Sequence, residues 1–401
     1  MRRILSDLRR GLEGRRGPRL RSWTGAAAQG QLGLMFVLWL GPGLTAAAVH
    51  AQVPAAWTVS DQAVELGSGA DELFESVRYG RFLDDGRVVV ADAGGAFLRV
   101  YAADGRREVE MGRRGEGPGE FLAINGLWIT PEGQIGVWGA RTFRVTIFDP
   151  SGDLIDTHPV WPEGAVTAGS LDPFLGSFRN GDVLLGALSL QMSRSEEGTF
   201  ERWVMGRFAS WGEYLGSPGE ILGMLRAGRG PVPFTPVPRV AIREDSIWVV
   251  AGFEPEIEVW SAAGNLVRTI ALPWKVNPSG DPWSTLRAEL SRRDLPFFLE
   301  LLAEAPRSDR FPLVGGLLFD DLGYLWVKVY DIPADSVWLK RNALMVSPGG
   351  EWWVLSPEGY WVARVEMPED VTPLDFKGDR LLGVRRDALD VERVVIHQVI
   401  R

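Results

Sequence analysis

The sequence has no cysteine and only three histidines among its 401 residues. Without cysteine there is no disulfide, thiolate zinc site, iron–sulfur cluster or cysteine nucleophile, and no lipid anchor on an N-terminal cysteine. The few histidines leave little material for histidine-rich metal sites or Ser-His-Asp triads. The sequence also lacks G-x-S-x-G, H-E-x-x-H, P-loop and EF-hand patterns. It therefore carries none of the usual motifs for these hydrolase, nucleotide-binding and calcium-loop classes.

Glycine, proline and tryptophan are abundant, with 48, 26 and 17 residues. Hydrophobic residues make up 45% of the chain and charged residues 24%, which is ordinary for a globular protein and argues against disorder. The glycines and prolines favour many short strands joined by tight turns.

Basic residues are concentrated in the first 22 positions, which hold eight arginines against two acidic residues. The chain from position 52 onward keeps 35 of the 43 basic and 50 of the 52 acidic residues, a net charge of −15. Such an acidic body binds nucleic acid and anionic lipid poorly. We therefore expect neither as a partner.

An uncharged segment follows the arginines, with an apolar run from Leu32 to Leu40 and small residues up to Ala51. Basic, apolar and small residues in this order are typical of a secretory signal. The apolar run is shorter than the roughly 20 residues of a membrane span. We expect residues 1–51 to be a signal peptide, so that the protein is periplasmic or secreted and keeps no stable membrane span. An uncleaved N-terminal anchor is the alternative.

A pattern of four strand-like runs separated by glycine turns repeats along the chain. The glycine of the first turn recurs at Gly86, Gly133 and Gly181, with spacings of 47 and 48 residues. Four-stranded units of about 45 residues are typical of β-propellers. Six units are predicted, at 77–111, 124–160, 174–217, 239–271, 314–367 and 371–400.

The last unit supplies only three strands, whereas an unassigned strand, Trp57 to Leu66, precedes the first unit. Joining the two termini in one blade would close the ring and leave no long free edge. We therefore predict an all-β fold over 52–401: a six-bladed β-propeller of four-stranded antiparallel blades, closed by the N-terminal strand. We expect it to be a monomer.

Two stretches resemble a known family. Asp85-Gly86-Arg87-Val88-Val89-Val90-Ala91-Asp92 followed by Leu98-Arg99-Val100-Tyr101 resembles an NHL-type repeat. The stretch 112–121, Gly-Arg-Arg-Gly-Glu-Gly-Pro-Gly-Glu-Phe, is similar to the G-x-G-x-G-P-G-E-F connector of a bacterial six-bladed β-propeller family. The resemblance implies a secreted propeller from a family mostly of unknown function. A second, eroded copy of the connector is proposed at 216–221.

The long irregular segments are predicted to share one face of the propeller. The predicted turns after the first and third strands of each unit lie on the other face and are short. The loops after the second strands and the connections between units include four long segments: 191–201, 218–238, 272–312 and 331–350. Because binding residues concentrate on loops held by a rigid scaffold, we place the site on the long-loop face, at the mouth of the central channel. The 272–312 segment, between blades four and five, is predicted to be a helical insertion. It either packs on the rim or forms a lid over the channel.

Candidate site residues follow from this placement. Four acids on the long-loop face could hold a metal ion, calcium being possible; they are Asp92, Glu116, Glu120 and Asp331. Arg113 and Arg114 could attract an anionic ligand, and Trp274 and Trp283 could stack on a sugar. The alternatives are structural: Asp92 as a turn cap, the glutamates as braces of the connector, the arginines as a solvated pair and the tryptophans as packing residues.

Two functions remain open on the sequence alone. The first is an extracytoplasmic scaffold that recognises a protein, peptide or glycan on the long-loop face. The second is a calcium-dependent hydrolase or lyase with a carboxylate site at the channel mouth. Beyond residue 51 only His158 and His397 remain, and we expect both to be strand or surface residues.

Overall fold

The computed structural model describes residues 54–401, apart from positions 68, 70–71, 164–170, 196–197, 229, 277–279, 308, 341, 388 and 390. The predicted signal peptide, 1–51, lies outside the described residues. Strands predominate in the described part. No helix in it is long and apolar enough to cross a membrane.

The first sheet shows why the chain forms strands. Its two middle strands are rich in valine and leucine and are buried on both faces. Its outer strand carries charged residues and is mostly exposed to solvent. β-Branched residues suit a strand that packs on both sides. The four strands pair in chain order as an antiparallel meander: β2 (Val77–Phe82), β3 (Val88–Asp92), β4 (Phe97–Tyr101) and β5 (Arg107–Met111).

Three further sheets repeat this meander. The second contains β8 (Gly126–Ile129), β9 (Ile135–Gly139), β10 (Arg144–Phe148) and β11 (Leu154–Pro159). The third contains β12 (Leu171–Ser177), β13 (Val183–Arg194), β14 (Thr199–Phe208), β15 (Tyr214–Ala227) and the short β16 (Gly230–Pro231). The fourth contains β17 (Arg239–Arg243), β18 (Ser246–Val250), β19 (Glu256–Ser261) and β20 (Leu266–Ala271). A short parallel pair, β6 (Arg113–Arg114) and β7 (Glu120–Phe121), connects the first two sheets.

The remaining strands form an eight-stranded sheet in the order β21-β22-β23-β24-β1-β27-β26-β25. Its members are β21 (Val314–Phe319), β22 (Leu325–Val329), β23 (Gly350–Leu355), β24 (Trp361–Met367), β25 (Val371–Lys377), β26 (Arg380–Arg386), β27 (Glu392–Ile400) and the N-terminal β1 (Ala55–Leu66). β1 pairs antiparallel with β27, from Thr58 opposite Ile400 to Leu66 opposite Val394. The first three residues of β1 run parallel to β24. The N-terminal strand therefore lies beside the C-terminal one.

The first strands of the meanders form a closed cycle. Each of β2, β8, β12, β17, β21 and β25 contacts the next, and β25 contacts β2 again. Apolar clusters fill the spaces between neighbouring sheets, as with Leu98 and Leu127 between the first and second, and Val90 and Leu382 between the first and last. The fold is all-β and propeller-like, with the first strands around a central cavity.

The repeated turn glycines adopt one conformation. Gly86, Gly133 and Gly181 have φ of 89°, 78° and 87°. In the first of these turns the Leu83 N–H donates to the Arg87 carbonyl (2.8 Å), and the other two turns make the equivalent bond. Glycine is needed at these positions because other residues rarely adopt a positive φ. The sequence spacing of 47 and 48 residues thus reflects one repeated hairpin.

The antiparallel meanders give the molecule two faces. The turns after the first and third strands lie on one face, which we call the turn face. Neighbouring turns meet there: the Arg179 N–H donates to the Glu244 carbonyl (3.2 Å), and the Gly378 N–H donates to the Asp321 carboxylate (2.7 Å). The loops after the second strands and the connections between meanders lie on the other face, which we call the loop face.

Two helices on the loop face belong to the connection between β20 and β21. They are α1 (Pro282–Arg292) and α2 (Pro296–Glu304). The Asp281 carboxylate caps α1 by accepting the Trp283 N–H (3.0 Å), which satisfies a free donor at the helix start. Trp283, Leu286 and Leu290 form its buried side.

The helices pack against two neighbouring segments, and together we call them the cap. It comprises α1, α2, the connection 230–238 and the described part of the loop 330–349. Phe234 meets Trp283 edge-on at 5.3 Å between ring centroids. Trp338 Nε1 donates to the Pro231 carbonyl (3.0 Å), and the Ser336 hydroxyl donates to the Pro233 carbonyl (2.8 Å). The cap is therefore one packed unit.

The third sheet differs from the sequence prediction. β13 continues to Arg194 and β14 begins at Thr199, so most of the predicted loop 191–201 is strand. The proposed second copy of the connector, 216–221, lies inside the outer strand β15, where Glu220 pairs with Val204. That copy is wrong as a connector. The outer strand accommodates its glycines through register shifts because the lengthened β14 supplies continuous partners.

Candidate ligand-binding cleft

The cavity inside the cycle of first strands has a volume of about 360 Å³. Each of the six first strands contributes to its wall, whose exposed surface is about equally polar and apolar. Representative lining residues are Tyr79, Trp128, Phe174, Ile242, Leu317 and Leu374. Ligand pockets usually combine apolar side chains with a few polar groups that fix the orientation of the ligand.

A second pocket, of about 260 Å³, adjoins the cavity beside the cap. The two share Pro173, Asn342 and Leu344 in their walls. The second pocket also contacts Leu188 of the lengthened β13 and Trp203 of β14. We call the two spaces together the cleft.

Polar side chains meet where the cleft opens on the loop face. Asn125 Nδ2 donates to Asp172 Oδ1 (2.8 Å), and the Tyr79 hydroxyl donates to the Asn125 carbonyl (2.7 Å). Trp138 Nε1 donates to the Asp172 carbonyl (3.2 Å). Among the described residues, Asn125 Oδ1 is buried without a hydrogen-bond partner. It lies beside Asp172, which lines the second pocket.

Arg78 lies on β2 at the same mouth and lines the cavity. Among the described residues its guanidinium has no hydrogen-bond or ion-pair partner, and its Nε is buried. Partial burial raises the pKa of the Asp172 carboxyl, and the positive charge of Arg78 offsets part of this rise. Burial raises the pKa of Tyr79 to about 12, so that hydroxyl is a neutral donor at neutral pH.

Arg81, three residues further along β2, is paired by contrast. One of its terminal nitrogens donates to the carbonyls of Gly80 (3.0 Å) and Leu374 (2.9 Å) and lies 4.0 Å from the Asp375 carboxylate. Asp375 in turn accepts the Phe82 N–H (2.9 Å), and burial raises the pKa of its carboxyl. These contacts tie the first sheet to the last, so Arg81 is a structural cation.

Two of the charged side chains in the second pocket pair with each other. Arg226 donates to the buried carboxylate of Glu201. Trp203 Nε1 lies 3.4 Å from the other oxygen of that carboxylate. Asp172 is therefore the remaining charged group in the described wall of this pocket.

A buried ionic group fastens the loop 330–349 over the cleft. Lys328 Nζ donates to Asp335 Oδ2 and to the Ser347 hydroxyl, both at 2.8 Å. Lys340 Nζ lies 2.7 Å from Asp335 Oδ1 and donates to the Met345 carbonyl (3.1 Å). The single carboxylate thus joins both ends of the loop.

Arg239 of β17 completes this group. It donates to the Leu344 carbonyl (2.6 Å) and the Ala343 carbonyl (3.3 Å), two residues that line the cleft. Burial lowers the pKa of Lys340 to about 8, and the nearby positive charge of Arg239 acts in the same direction. The Asp335 pKa is held well below its usual value by the two lysines, against the effect of burial.

The predicted residues of the connector 113–121 bind one another. Arg113 Nε donates to Glu120 Oε1 (2.7 Å), and the Gly117 N–H donates to Glu120 Oε2 (2.9 Å). The Gly117 N–H and Arg113 both lower the pKa of Glu120. Arg114 donates to the Gly94 carbonyl (2.6 Å), and the Glu116 side chain is exposed. The connector is braced by its own residues and lines neither pocket of the cleft.

Asp92 is a turn cap. Its carboxylate accepts the N–H groups of Glu75 (2.7 Å), Ser76 (3.0 Å), Gly94 (2.9 Å) and Gly95 (2.9 Å). The carboxylate is fully buried, and these four donors occupy both of its oxygens.

The four predicted acids do not fit a calcium ion. Asp92 and Glu120 are engaged by N–H groups or arginine, and Asp331 is exposed on a different loop. Across the described residues no three His, Asp or Glu side chains gather into a group that could hold a metal ion. Calcium needs six to eight oxygen ligands, and these side chains do not supply them together.

The two tryptophans predicted to bind a ligand pack against other aromatic rings of the protein. Trp274 meets Trp353 and Trp361, each with ring centroids 5.3 Å apart, and its Nε1 donates to the Leu313 carbonyl (3.0 Å). Trp283 is only 8% exposed, against Phe234 in the cap. The ring of Trp283 is therefore covered and does not offer a stacking surface.

The two histidines among the described residues lie in separate sheets. His158 is on the outer strand β11, with Nε2 at 3.2 Å from the Asp156 carboxylate. His397 is on β27, where its Nδ1 lies 2.7 Å from the Ser60 carbonyl. Neither lines the cleft.

The sequence analysis missed Arg78, Asn125 and Asp172. Each stands at or next to the start of a first strand, so the repeat itself aligns them at one level around the cavity. Polar residues at equivalent positions of otherwise apolar strands were the available signal. These residues lie outside the long loops on which the predicted site was placed.

No protein-family model matches this sequence, and no curated protein does. Among solved structures, a member of the DUF4221 family from Bacteroides vulgatus is similar, with 10% identity over 86% of this chain and 99% of its own, and a TM-score of 0.56. Regucalcin, a calcium-binding protein from Agrobacterium tumefaciens, has 11% identity, covers 87% and 97% of the two chains and has a TM-score of 0.44. A gluconolactonase from Xanthomonas campestris has 12% identity, coverages of 86% and 99%, and a TM-score of 0.42. At these identities the likeness concerns the fold alone, and only the first score supports it.

Proposed function

We propose that the chain is an extracytoplasmic six-bladed β-propeller that binds a protein, peptide or glycan in the cleft on its loop face. Counting one blade for each first strand in the closed cycle gives six. The sixth blade consists of β25, β26 and β27, with β1 as its outer strand. The α1–α2 segment is then an insertion between blades four and five.

The observation that carries the binding function is the cleft itself. Its two pockets share lining residues and adjoin the packed cap, and the second pocket is mainly apolar whereas the central cavity is about half polar. Among the described residues, two polar atoms near its mouth have no hydrogen-bond partner: Nε of the lining residue Arg78, and Oδ1 of Asn125, which lies beside the lining residue Asp172. Buried polar atoms are normally hydrogen-bonded, so unused ones at a cavity mouth favour a ligand.

Two matched variants test this function. Leu188 lines the second pocket and is 40% exposed, whereas Leu322 lies on the turn face and is 51% exposed. Peptide and glycan arrays would be screened with the purified protein, and each ligand found would be titrated calorimetrically. Leu188→Glu should weaken binding about tenfold or more by placing a charge in the pocket wall, and Leu322→Glu should leave it unchanged. Binding that is lost in Leu322→Glu and kept in Leu188→Glu would refute the proposal.

Export rests on the sequence pattern of residues 1–51. N-terminal sequencing of protein from its native host should find Gln52 first, and sedimentation should find a monomer. A soluble cytoplasmic protein that retains residues 2–30 would contradict the proposed location.

The alternative, a calcium-dependent hydrolase or lyase, has no set of side chains to support it in the described residues. Elemental analysis of the purified protein provides the check, together with thermal melting before and after chelation. We expect no stoichiometric calcium and an unchanged melting temperature. One bound calcium per chain would restore the alternative.

A further inference from the structure

Arg78 differs from the other arginines around the cleft. Arg81, Arg226 and Arg239 each donate to a carbonyl or carboxylate of the protein. Arg78 makes no such bond among the described residues, although its Nε is buried. A charged donor that is partly buried without a hydrogen-bond partner costs free energy. Arg78 therefore does not stabilise the ligand-free protein.

The acidic residue that interacts electrostatically with Arg78 already accepts another hydrogen bond. Asp172 influences Arg78 electrostatically, but its Oδ1 accepts the amide of Asn125 (2.8 Å) and the two residues form no ion pair. The guanidinium therefore remains open at the cavity mouth. Its planar fork matches a carboxylate with two parallel hydrogen bonds.

We propose that the cleft takes a ligand bearing a carboxylate, which Arg78 binds. The Asp172 carboxylate in the adjoining pocket accepts a hydroxyl or amide N–H of the same ligand, and the apolar side chains of Phe174 and Leu344 cover the neighbouring carbons. Two sources have this chemistry: an acidic sugar and the C-terminal residue of a peptide. The inference rests on the proposed binding function of the cleft and adds the ligand class.

The first test needs no ligand. Arg78→Met removes an unpaired cation and keeps the length of the side chain, so the melting temperature should stay the same or rise. Arg81→Met removes the bonds to Gly80 and Leu374 from the same strand and should lower it. If Arg78→Met lowers the melting temperature as much as Arg81→Met does, Arg78 is structural and the proposal fails.

The second test uses two pairs of probes. One pair is trigalacturonate and its methyl ester, and the other is a tripeptide with a free and with an amidated C-terminus. Calorimetry should detect one of the two acids with a Kd below about 1 mM. The matched neutral probe should bind at least about tenfold more weakly. Arg78→Met should reduce binding of the acid to the level of the neutral probe, whereas an exposed control, Arg141→Gln, should not change it.

The outcomes separate this inference from the function on which it rests. Failure of both acids to bind, equal binding of acid and neutral probe, or undiminished binding by Arg78→Met would each overturn the carboxylate inference. If a neutral array ligand is then still lost in Leu188→Glu, the cleft binds ligands and only the inferred class is wrong. If Leu188→Glu affects no ligand, the proposed function fails as well.

Discussion

Gly119 illustrates how single residues set the path between the first two sheets. The chain turns there with a φ of 73°, and the following Glu120 closes the turn through the Gly117 N–H and Arg113. A Cβ at position 119 would lie 3.5 Å from Leu154, so space alone does not require glycine. The positive φ does, because β-branched residues are strained in that region.

Replacing Gly119 with valine should therefore lower the free energy of unfolding by about 1–3 kcal/mol. Gly119→Asn is the matched control, because asparagine tolerates a positive φ and should cost clearly less. Urea unfolding measures both. Equal losses in the two variants would show that crowding, and not backbone conformation, makes glycine necessary.

Lys340 is a residue whose charge works against the fold. It shares the Asp335 carboxylate with Lys328, and Arg239 adds a third positive charge nearby. Burial and Arg239 lower its pKa from 10.5 to about 8. Above pH 8 the unfolded chain still binds a proton that the folded protein has released, so the free energy of unfolding rises with pH up to the unfolded pKa.

Lys340→Met removes this pH dependence. Between about pH 7 and 9.5 the free energy of unfolding of the wild type should rise relative to the variant by about 2 kcal/mol. Chemical denaturation across this range measures the difference. Lys275→Met, at an exposed position, should run parallel to the wild type. A constant difference between wild type and Lys340→Met would contradict the lowered pKa.

The loop between β22 and β23 is the element that shapes the cleft. Asp335 fastens it to Lys328 on β22, and its approach to β21 is so close that a Cβ on Gly315 would lie 2.6 Å from the carboxylate. Further along, Leu344 lines both pockets while its carbonyl accepts Arg239. The position of the cleft wall thus depends on one buried carboxylate.

Asp335→Asn should be strongly destabilising, by about 3–5 kcal/mol, because it leaves buried cations without a counter-charge. Asp331→Asn, four residues earlier on the exposed side of the same loop, should change stability little. Urea unfolding and limited proteolysis of the loop distinguish the two. If Asp335→Asn resists protease as well as Asp331→Asn does, the carboxylate does not anchor the loop.

The elements that the sequence predicted well are those with a local cause. Glycines such as Gly86 repeat because each hairpin needs a positive φ, and this spacing led to the propeller-like all-β fold, which is confirmed. The stretch 216–221 was misjudged because its composition is that of a connector, while its conformation is set by pairing with the lengthened β14. Long-range pairing overrides local composition in such strands.

The candidate site could not be predicted from the pattern of any single strand; its signal lies in the comparison of equivalent positions across the repeats. Arg78 and Asp172 are 94 positions apart and meet only because β2, β8 and β12 are neighbours in the closed cycle. Asn342 reaches the same cleft from a distant loop. A sequence pattern reports the role of each residue in its own strand, whereas the site arises from the arrangement of the strands around the cavity.

Closure of the cycle depends on the first described strand, β1, and on the C-terminal strand, β27. β1 covers β27, and Trp57 contacts the rings of Tyr324 and Trp326, both with centroids at 5.8 Å. The C-terminal Arg401 lies over the Trp57 ring and pairs with Asp320 (3.0 Å). β1 and Arg401 thus join the two halves of the last sheet, and β1 covers the edge of β27 that would otherwise be free.

Deleting Ala55–Leu66 should therefore expose β27 and remove the Trp57 contacts, a loss of several kcal/mol from a typical total of about 5–15 kcal/mol. We expect aggregation or a broad, uncooperative unfolding transition. A synthetic peptide with the sequence of 55–66 should add back as a strand and raise the midpoint with its concentration, whereas a scrambled peptide should not, because the register places Leu66 opposite Val394 in a buried position. A deletion variant that unfolds cooperatively at the wild-type midpoint would mean that the cycle closes through the first strands alone, without the terminal strand.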